Sequence, residues 1–92
     1  SLKTLDCGYS ALEISAPDSS RGAIAVFGMT NADEKSVKIN PKGIDASKNY
    51  EVTLDNSGMT FAVSGRELYL NGITVNIPSS LASELVLYKE IN

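Results

Sequence analysis

Apolar and polar residues alternate along most of this chain, which is the period of β-strands that bury one face. Near the start, Leu12, Ile14 and Ala16 alternate with smaller or polar neighbours. Two longer stretches are apolar at consecutive positions, as expected of strands covered on both sides. Residues 22–30 are predicted to form the central strand, and residues 84–90 to lie beside it or under a second layer. The other alternating segments are residues 36–40, 49–55, 59–63 and 73–77.

A hairpin is the best-defined feature of this pattern. Residues 55–58, Asp-Asn-Ser-Gly, form a turn signal between two alternating segments. A loop of this length places Val52 opposite Phe61, and both side chains are expected to be buried. Loop length and apolar pattern therefore predict the same register. That register also pairs Leu54 with Met59 and Tyr50 with Val63.

One short helical turn follows the hairpin and carries both a start signal and a stop signal. Ser64 and Glu67 stand at capping-box spacing, in which the Ser64 hydroxyl accepts from the Glu67 amide and the Glu67 carboxylate reaches back to the Ser64 amide. Asn71 and Gly72 end the turn, because glycine tolerates the left-handed conformation that a helix end requires. The predicted turn therefore spans residues 64–71.

These patterns together predict an all-β fold. About seven to eight short strands fit into 92 residues with turns at roughly ten-residue spacing, which is typical of an antiparallel β-sandwich of Greek-key type. No stretch has the pattern of a crossover helix, and this excludes a parallel α/β arrangement. We therefore expect one domain over residues 1–92, in which residues 1–8 are a poorly patterned lead-in.

Charge and composition narrow the range of partners. The formal net charge is −3 and no basic cluster is present, so neither nucleic acid nor an anionic membrane surface is expected as a partner. The longest apolar run, residues 23–27, is far shorter than the roughly 20 residues of a membrane-spanning helix. The chain is therefore expected to be soluble, and its compartment is left open.

Catalytic chemistry is constrained by the absence of histidine, which rules out Ser-His-Asp, Cys-His and histidine metal sites within this chain. The single cysteine, Cys7, is interpreted as a buried or incidental thiol, because no second thiol or histidine accompanies it. The acidic residues are expected at turns, caps or strand ends, so we predict no catalytic, cofactor-binding or metal-binding residue. The carboxylates considered are Asp33, Glu34, Asp45, Asp55, Glu67 and Glu84.

Sugar binding by ring stacking would require exposed aromatic side chains on one face. The chain has no tryptophan, and its aromatic residues fall mostly on the inward positions of the predicted strands. Tyr9 and Tyr69 are the two candidates for exposure. Core or interface packing is favoured over ligand stacking for each ring.

A series of short motifs carries a family resemblance. The motifs are Lys42-Gly43-Ile44-Asp45, Asn49-Tyr50-Glu51-Val52, Ser64-Gly65-Arg66-Glu67-Leu68, Asn71-Gly72-Ile73 with Val75 and Ile77, and Ser83-Glu84-Leu85-Val86-Leu87. In order and spacing they resemble the C-terminal domain of α-galactosidases of glycoside hydrolase family 36. The similarity extends over residues 21–90, whereas the first twenty residues and the short loop at 55–59 depart from it. A C-terminal β-domain of another glycosidase family is therefore the alternative.

The resemblance implies an eight-stranded antiparallel sandwich packed behind a catalytic (β/α)8 barrel. The family's nucleophile and acid/base aspartates belong to the barrel, so none of them transfers to this chain. We therefore expect a non-catalytic C-terminal accessory domain of a larger glycosidase, without cofactor and with that barrel as its partner. An independent carbohydrate-binding module and an immunoglobulin-like interaction domain are the alternatives. Apolar surface left by the missing barrel predicts weak homodimerisation through Leu2, Leu5, Tyr69 and Leu70.

Overall fold

The computed structural model describes residues 2–4, 9–28, 35–77 and 83–91, in which eight strands and one helix follow one another. The elements are β1 (Leu2–Thr4), β2 (Tyr9–Ser15), β3 (Arg21–Gly28), β4 (Lys35–Ile39), β5 (Asn49–Leu54), β6 (Met59–Ser64), α1 (Gly65–Asn71), β7 (Ile73–Ile77) and β8 (Ser83–Ile91). The predicted all-β fold with one short helical turn is confirmed. Leu5, Cys7, Asp33 and Glu34 lie outside the described residues.

The strands form two antiparallel sheets of unequal size. The large sheet has six strands in the order β1-β2-β3-β8-β5-β6, and the small sheet pairs β4 with β7. In the large sheet β3 pairs along its length with β2 on one side and β8 on the other. The predicted central position of β3, and that of β8 beside it, are therefore confirmed.

The hydrophobic core joins the inner face of the large sheet to the small sheet and α1. Because strands lie about 4.8 Å apart, two strands cover only part of a six-stranded sheet. At one edge of the large sheet, β6 is therefore less buried than β8 at its centre. The largest fully buried side chains are Tyr9, Tyr50, Tyr88, Leu68, Ile77, Val26, Val52, Val75 and Val86.

The hairpin formed by β5 and β6 has the predicted register. Val52 lies opposite Phe61, and the Leu54–Met59 and Tyr50–Val63 pairs follow. Val52 is fully buried, but Phe61 is only partly buried and Met59 is 56% exposed. The expectation that both Val52 and Phe61 are buried is thus correct for Val52 alone. β6 lies at the edge of the large sheet, where the narrow small sheet covers it incompletely.

Strand β2 buries the less apolar of its two faces. Tyr9 and Ala11 are buried and Glu13 points the same way, whereas Leu12 is 39% exposed and Ile14 is 70% exposed. The expectation that Tyr9 is a candidate for exposure is therefore wrong. The physical reason is that the inward Glu13 carboxylate accepts hydrogen bonds from other parts of the chain, which fixes the orientation of the strand.

Helix α1 forms where the start and stop signals predicted it. The Ser64 hydroxyl accepts a hydrogen bond from the Glu67 amide at 3.0 Å. Gly72 closes the helix at φ 68°, and its amide donates to the Leu68 carbonyl at 2.9 Å. The return arm of the capping box is wrong, because the Glu67 carboxylate accepts instead from the Asn71 side-chain amide one turn later, at 2.6 Å.

Candidate functional site

The outer face of the large sheet carries apolar side chains that no other described element covers. In one row across the strands, Ile14 pairs with Ala23, Ala23 with Leu87, and Leu87 with Thr53. Ile14 is 70% exposed and Leu87 is 39% exposed. We call this surface, together with the neighbouring row of Leu12, Ala25 and Leu85, the outer face. It is apolar on a side of the sheet where a solvent-facing strand normally carries polar residues.

A row of charged residues borders the outer face at one end. Arg21 pairs with Lys89 across the strands, and Lys89 pairs with Glu51. The Lys89 Nζ lies 3.4 Å from Glu51 Oε1. Among the described residues, no carboxylate lies within ion-pair distance of Arg21, which is exposed. The border therefore holds one neutralised pair and one cation available to a partner.

A shallow groove of about 630 Å³ runs between the outer face and this charged row. Its volume falls in the range of small-molecule sites. Its walls are nevertheless aliphatic, with Ile14, Ala23 and Leu87 beside the charged residues. The one aromatic residue among its lining residues, Tyr88, is only 2% exposed, so the groove offers no ring on which a sugar could stack.

A second feature is a polar cluster around Glu13 at one end of the sandwich. The Glu13 carboxylate accepts from the backbone amides of Lys42 and Gly43, each at 2.9 Å. It also accepts from the Tyr88 hydroxyl at 2.7 Å. These bonds tie β2, β8 and the segment after β4 to one another.

The tyrosine hydroxyls of this cluster have protein partners. Tyr50 donates to the Ser19 carbonyl at 2.7 Å and accepts from the Asp45 amide at 2.8 Å. Its ring meets that of Tyr88 edge to face, with centroids 5.7 Å apart. Burial, and then the hydrogen bond to Glu13, raise the pKa of Tyr88 well above its usual value. A phenol that holds its proton this firmly is a structural group rather than an acid at neutral pH.

Three of the carboxylates considered from the sequence, Asp45, Glu67 and Glu84, lie in separate parts of the chain and accept hydrogen bonds there. Hydrogen bonds from the Ser47 hydroxyl and amide hold the pKa of Asp45 below its usual range. Glu84, on β8, is buried and accepts from the amides of Asn56 and Leu85, each at 2.9 Å. Glu67 lies on α1, bonded to Asn71 as described above. These bonds give the three carboxylates capping and turn-fixing roles.

Sequence reasoning missed the residues that distinguish these two features. The sequence pattern does not single out Glu13 or Arg21, and it places Tyr88 only among the inward positions of a strand. The one available signal was the position of Glu13 in mid-strand at the same parity as Tyr9 and Ala11. In contrast, Tyr69 is 71% exposed, as its sequence position suggested.

The described residues contain no group of three or more cysteine, histidine or acidic side chains placed to hold a metal ion. None of the helices in this part of the chain is long and apolar enough to span a membrane.

Comparison with known proteins gives a likeness in structure and none in sequence. No family model matches the chain, and no curated protein matches it. Among solved structures, it is similar to the galactosidase domain of the α-galactosidase-sucrose kinase AgaSK, with a TM-score of 0.67 and 17% identity. The match covers 91% of this chain and 11% of that one. At this identity the likeness establishes the fold, which is that of a small part of a galactosidase domain, in agreement with the family resemblance of the motifs.

Proposed function

We propose that this chain is a non-catalytic accessory domain of a carbohydrate-active enzyme of the α-galactosidase type, and that it packs against the catalytic barrel of that enzyme. The observation that carries the proposal is the structural match, which takes in nearly the whole of this chain but only 11% of a galactosidase domain. The ordered motifs over residues 21–90 support it independently of the structure.

The outer face has the properties that such packing requires. The outside of a (β/α)8 barrel is a ring of helices, and a sheet buries an apolar face well against a helical layer. The apolar rows around Ile14 and Leu87 would form the centre of the contact, with the charged row at its rim. Arg21, which has no carboxylate partner among the described residues, would meet an acidic group of the barrel.

The hydrogen bonds made by the polar groups of this domain support the non-catalytic part of the proposal. The chain has no histidine, and Asp45, Glu67 and Glu84 each accept hydrogen bonds that explain their positions. Glycosidases need two carboxyl groups flanking a pocket at a defined separation. Tyr88 and Glu13 are bonded to each other, and Glu13 also accepts from the backbone amides of Lys42 and Gly43, so these bonds explain the positions of both groups.

Two assays on the purified chain test the proposal. Hydrolysis of aryl α-galactosides should stay at the buffer rate, and NMR titration with galactosides at low millimolar concentration should give no localised shifts. Turnover that disappears in Glu67→Gln or Asp45→Asn would refute the non-catalytic assignment. Shifts confined to Arg21, Glu51 and Leu87 would favour a carbohydrate-binding module, for which the groove of about 630 Å³ is the site.

A further inference from the structure

Strand β6 forms a long free edge of the large sheet. It is the last strand in the order β1-β2-β3-β8-β5-β6 and pairs with β5 alone among the described strands. The opposite edge is β1, which has only three residues, Leu2–Thr4. A strand at an edge presents one row of backbone amides and carbonyls that lack a ladder partner. β6 therefore offers a six-residue pairing surface.

The backbone groups that face this edge follow from the ladder. The Gly65 amide donates to the Lys48 carbonyl at 2.7 Å, so these opposed residues form a hydrogen-bonded pair. Hydrogen-bonded and non-bonded pairs alternate along an antiparallel ladder, so Val63 and Phe61 bond to β5. The amides and carbonyls of Thr60 and Ala62, and the amide of Ser64, consequently point away from β5 toward the free edge.

This edge lacks the features by which proteins usually block edge pairing. Met59–Ser64 reads Met-Thr-Phe-Ala-Val-Ser, with no charged residue and no proline. Its side chains are exposed or only partly buried, and they include Phe61 and Val63. Lysine, proline or a bulge on an edge strand normally prevents pairing with another chain. None of the three is present in β6.

We propose that β6 is a self-association edge, which pairs antiparallel with β6 of a second copy of this chain to form a continuous sheet of twelve strands. With the two-fold axis at Ala62, each Ala62 faces its own copy in a hydrogen-bonded pair. Phe61 then faces Val63 of the second copy, an aromatic and β-branched pair that stabilises antiparallel strands. Thr60 likewise faces Ser64 of the second copy.

A second copy is the favoured occupant because the strand is complementary to itself. A two-fold axis makes the contact isologous, and an uncharged strand brings no like charges together when it meets its own copy. The contact is small, so a dissociation constant on the order of 100 μM is expected. This inference stands apart from the proposed accessory role, since pairing at an edge leaves the outer face free.

The first test places a charge at the two-fold axis and measures self-association by sedimentation velocity from about 10 μM to 1 mM protein. Ala62→Lys would place two lysines directly opposite each other and should raise the dissociation constant at least about tenfold. Within one copy the same lysine faces Glu51, so the fold should persist. The matched control, Ala62→Thr, keeps the strand uncharged and should associate as the parent chain does. A parent chain that is monomeric at 1 mM, or a lysine variant that associates equally, would overturn the proposal.

A covalent trap tests the register. In a Cys7→Ser background, Ala62→Cys should form a covalent dimer with a short bifunctional thiol-reactive cross-linker, because opposed Cα atoms in a hydrogen-bonded pair lie about 5.5 Å apart, which is within reach of a short spacer. Thr60→Cys, two residues before Ala62 on the same edge, faces Ser64 of the second copy. Because no cysteine lies opposite it, this variant should cross-link much more slowly. Equal cross-linking of the two variants would refute pairing centred at Ala62. The two tests use no enzyme activity, so they can fail without affecting the accessory assignment.

Discussion

At the scale of single residues, Glu13 does more to order the domain than its position in a strand suggests. Its carboxylate lies on the inward side of β2 and accepts hydrogen bonds from the amides of Lys42 and Gly43 and from the Tyr88 hydroxyl. An inward carboxylate is costly unless such bonds are made. Bonds to a charged acceptor are about twice as strong as neutral ones. Glu13 therefore fastens the segment after β4 to the large sheet.

The contribution of Glu13 is measurable with the isosteric Glu13→Gln variant. The amide that replaces one carboxylate oxygen is a donor and would face a backbone amide, so at least one hydrogen bond is lost. We expect the free energy of unfolding in urea to fall by about 1 to 3 kcal/mol. Glu51→Gln, which removes an exposed carboxylate from a surface ion pair, should cost under about 0.5 kcal/mol. Equal stability of the two variants would show that the cluster is unimportant.

The same cluster makes stability depend on alkaline pH. Tyrosine in the unfolded chain ionises near pH 10. Burial and the bond to Glu13 raise the pKa of Tyr88 in the folded protein. Above about pH 10 the folded state therefore binds more protons than the unfolded state, and stability falls as pH rises. Unfolding measured between about pH 8 and 11 should show this decline, and Tyr88→Phe should make it shallower.

The orientation of β2 shows what alternation can and cannot predict. A period of two assigns Leu12 and Ile14 to one face and Ala11 and Glu13 to the other. Which face is buried depends on partners far away in sequence, since Tyr88 is 75 residues from Glu13. Sequence hydrophobicity alone favours the face that the structure leaves exposed.

At the scale of elements, the parts predicted best are those held by local chemistry. The register of β5 and β6 follows from a four-residue loop, and the helix start and stop follow from Ser64 and Gly72. The return arm of the capping box failed because Asn71, one turn later, offers Glu67 a competing donor. The predicted burial of Phe61 is wrong, because the burial of β6 depends on how far the small sheet of β4 and β7 extends over the hairpin.

The hairpin gives a test of that difference in burial. Val52 and Phe61 face each other, but Val52 is fully buried and Phe61 only partly. Val52→Ala should cost about 2 kcal/mol, from two lost methyl groups and the cavity they leave. Phe61→Ala should cost less than the roughly 3 to 5 kcal/mol of a fully buried phenylalanine. Urea unfolding of both variants is the measurement, and a loss of about 3 kcal/mol or more for Phe61→Ala would contradict edge exposure.

At the scale of the whole molecule, the two layers are unequal, and this inequality leaves surfaces for partners. The strand count predicted a sandwich, but the division into six and two strands rests on long-range pairs such as Val26 with Glu84. No local pattern specifies such pairs. One consequence is an outer face that no other described element covers, and another is an edge at β6 that pairs only with β5 among the described strands.

The proposed contact between the outer face and the barrel can be tested by substituting two side chains that are equally exposed but lie on different surfaces. Ile14, on the outer face, is 70% exposed, and Tyr69, on α1, is 71% exposed. In the isolated domain, Ile14→Ser and Tyr69→Ser should each change the free energy of unfolding by less than about 0.5 kcal/mol. In the longer enzyme that the proposed function requires, Ile14→Ser should lower the Tm of this domain, because it removes apolar contact with the barrel, whereas Tyr69→Ser should leave that Tm unchanged. If Tyr69→Ser has the larger effect, the barrel contacts the α1 side and the outer face has another use.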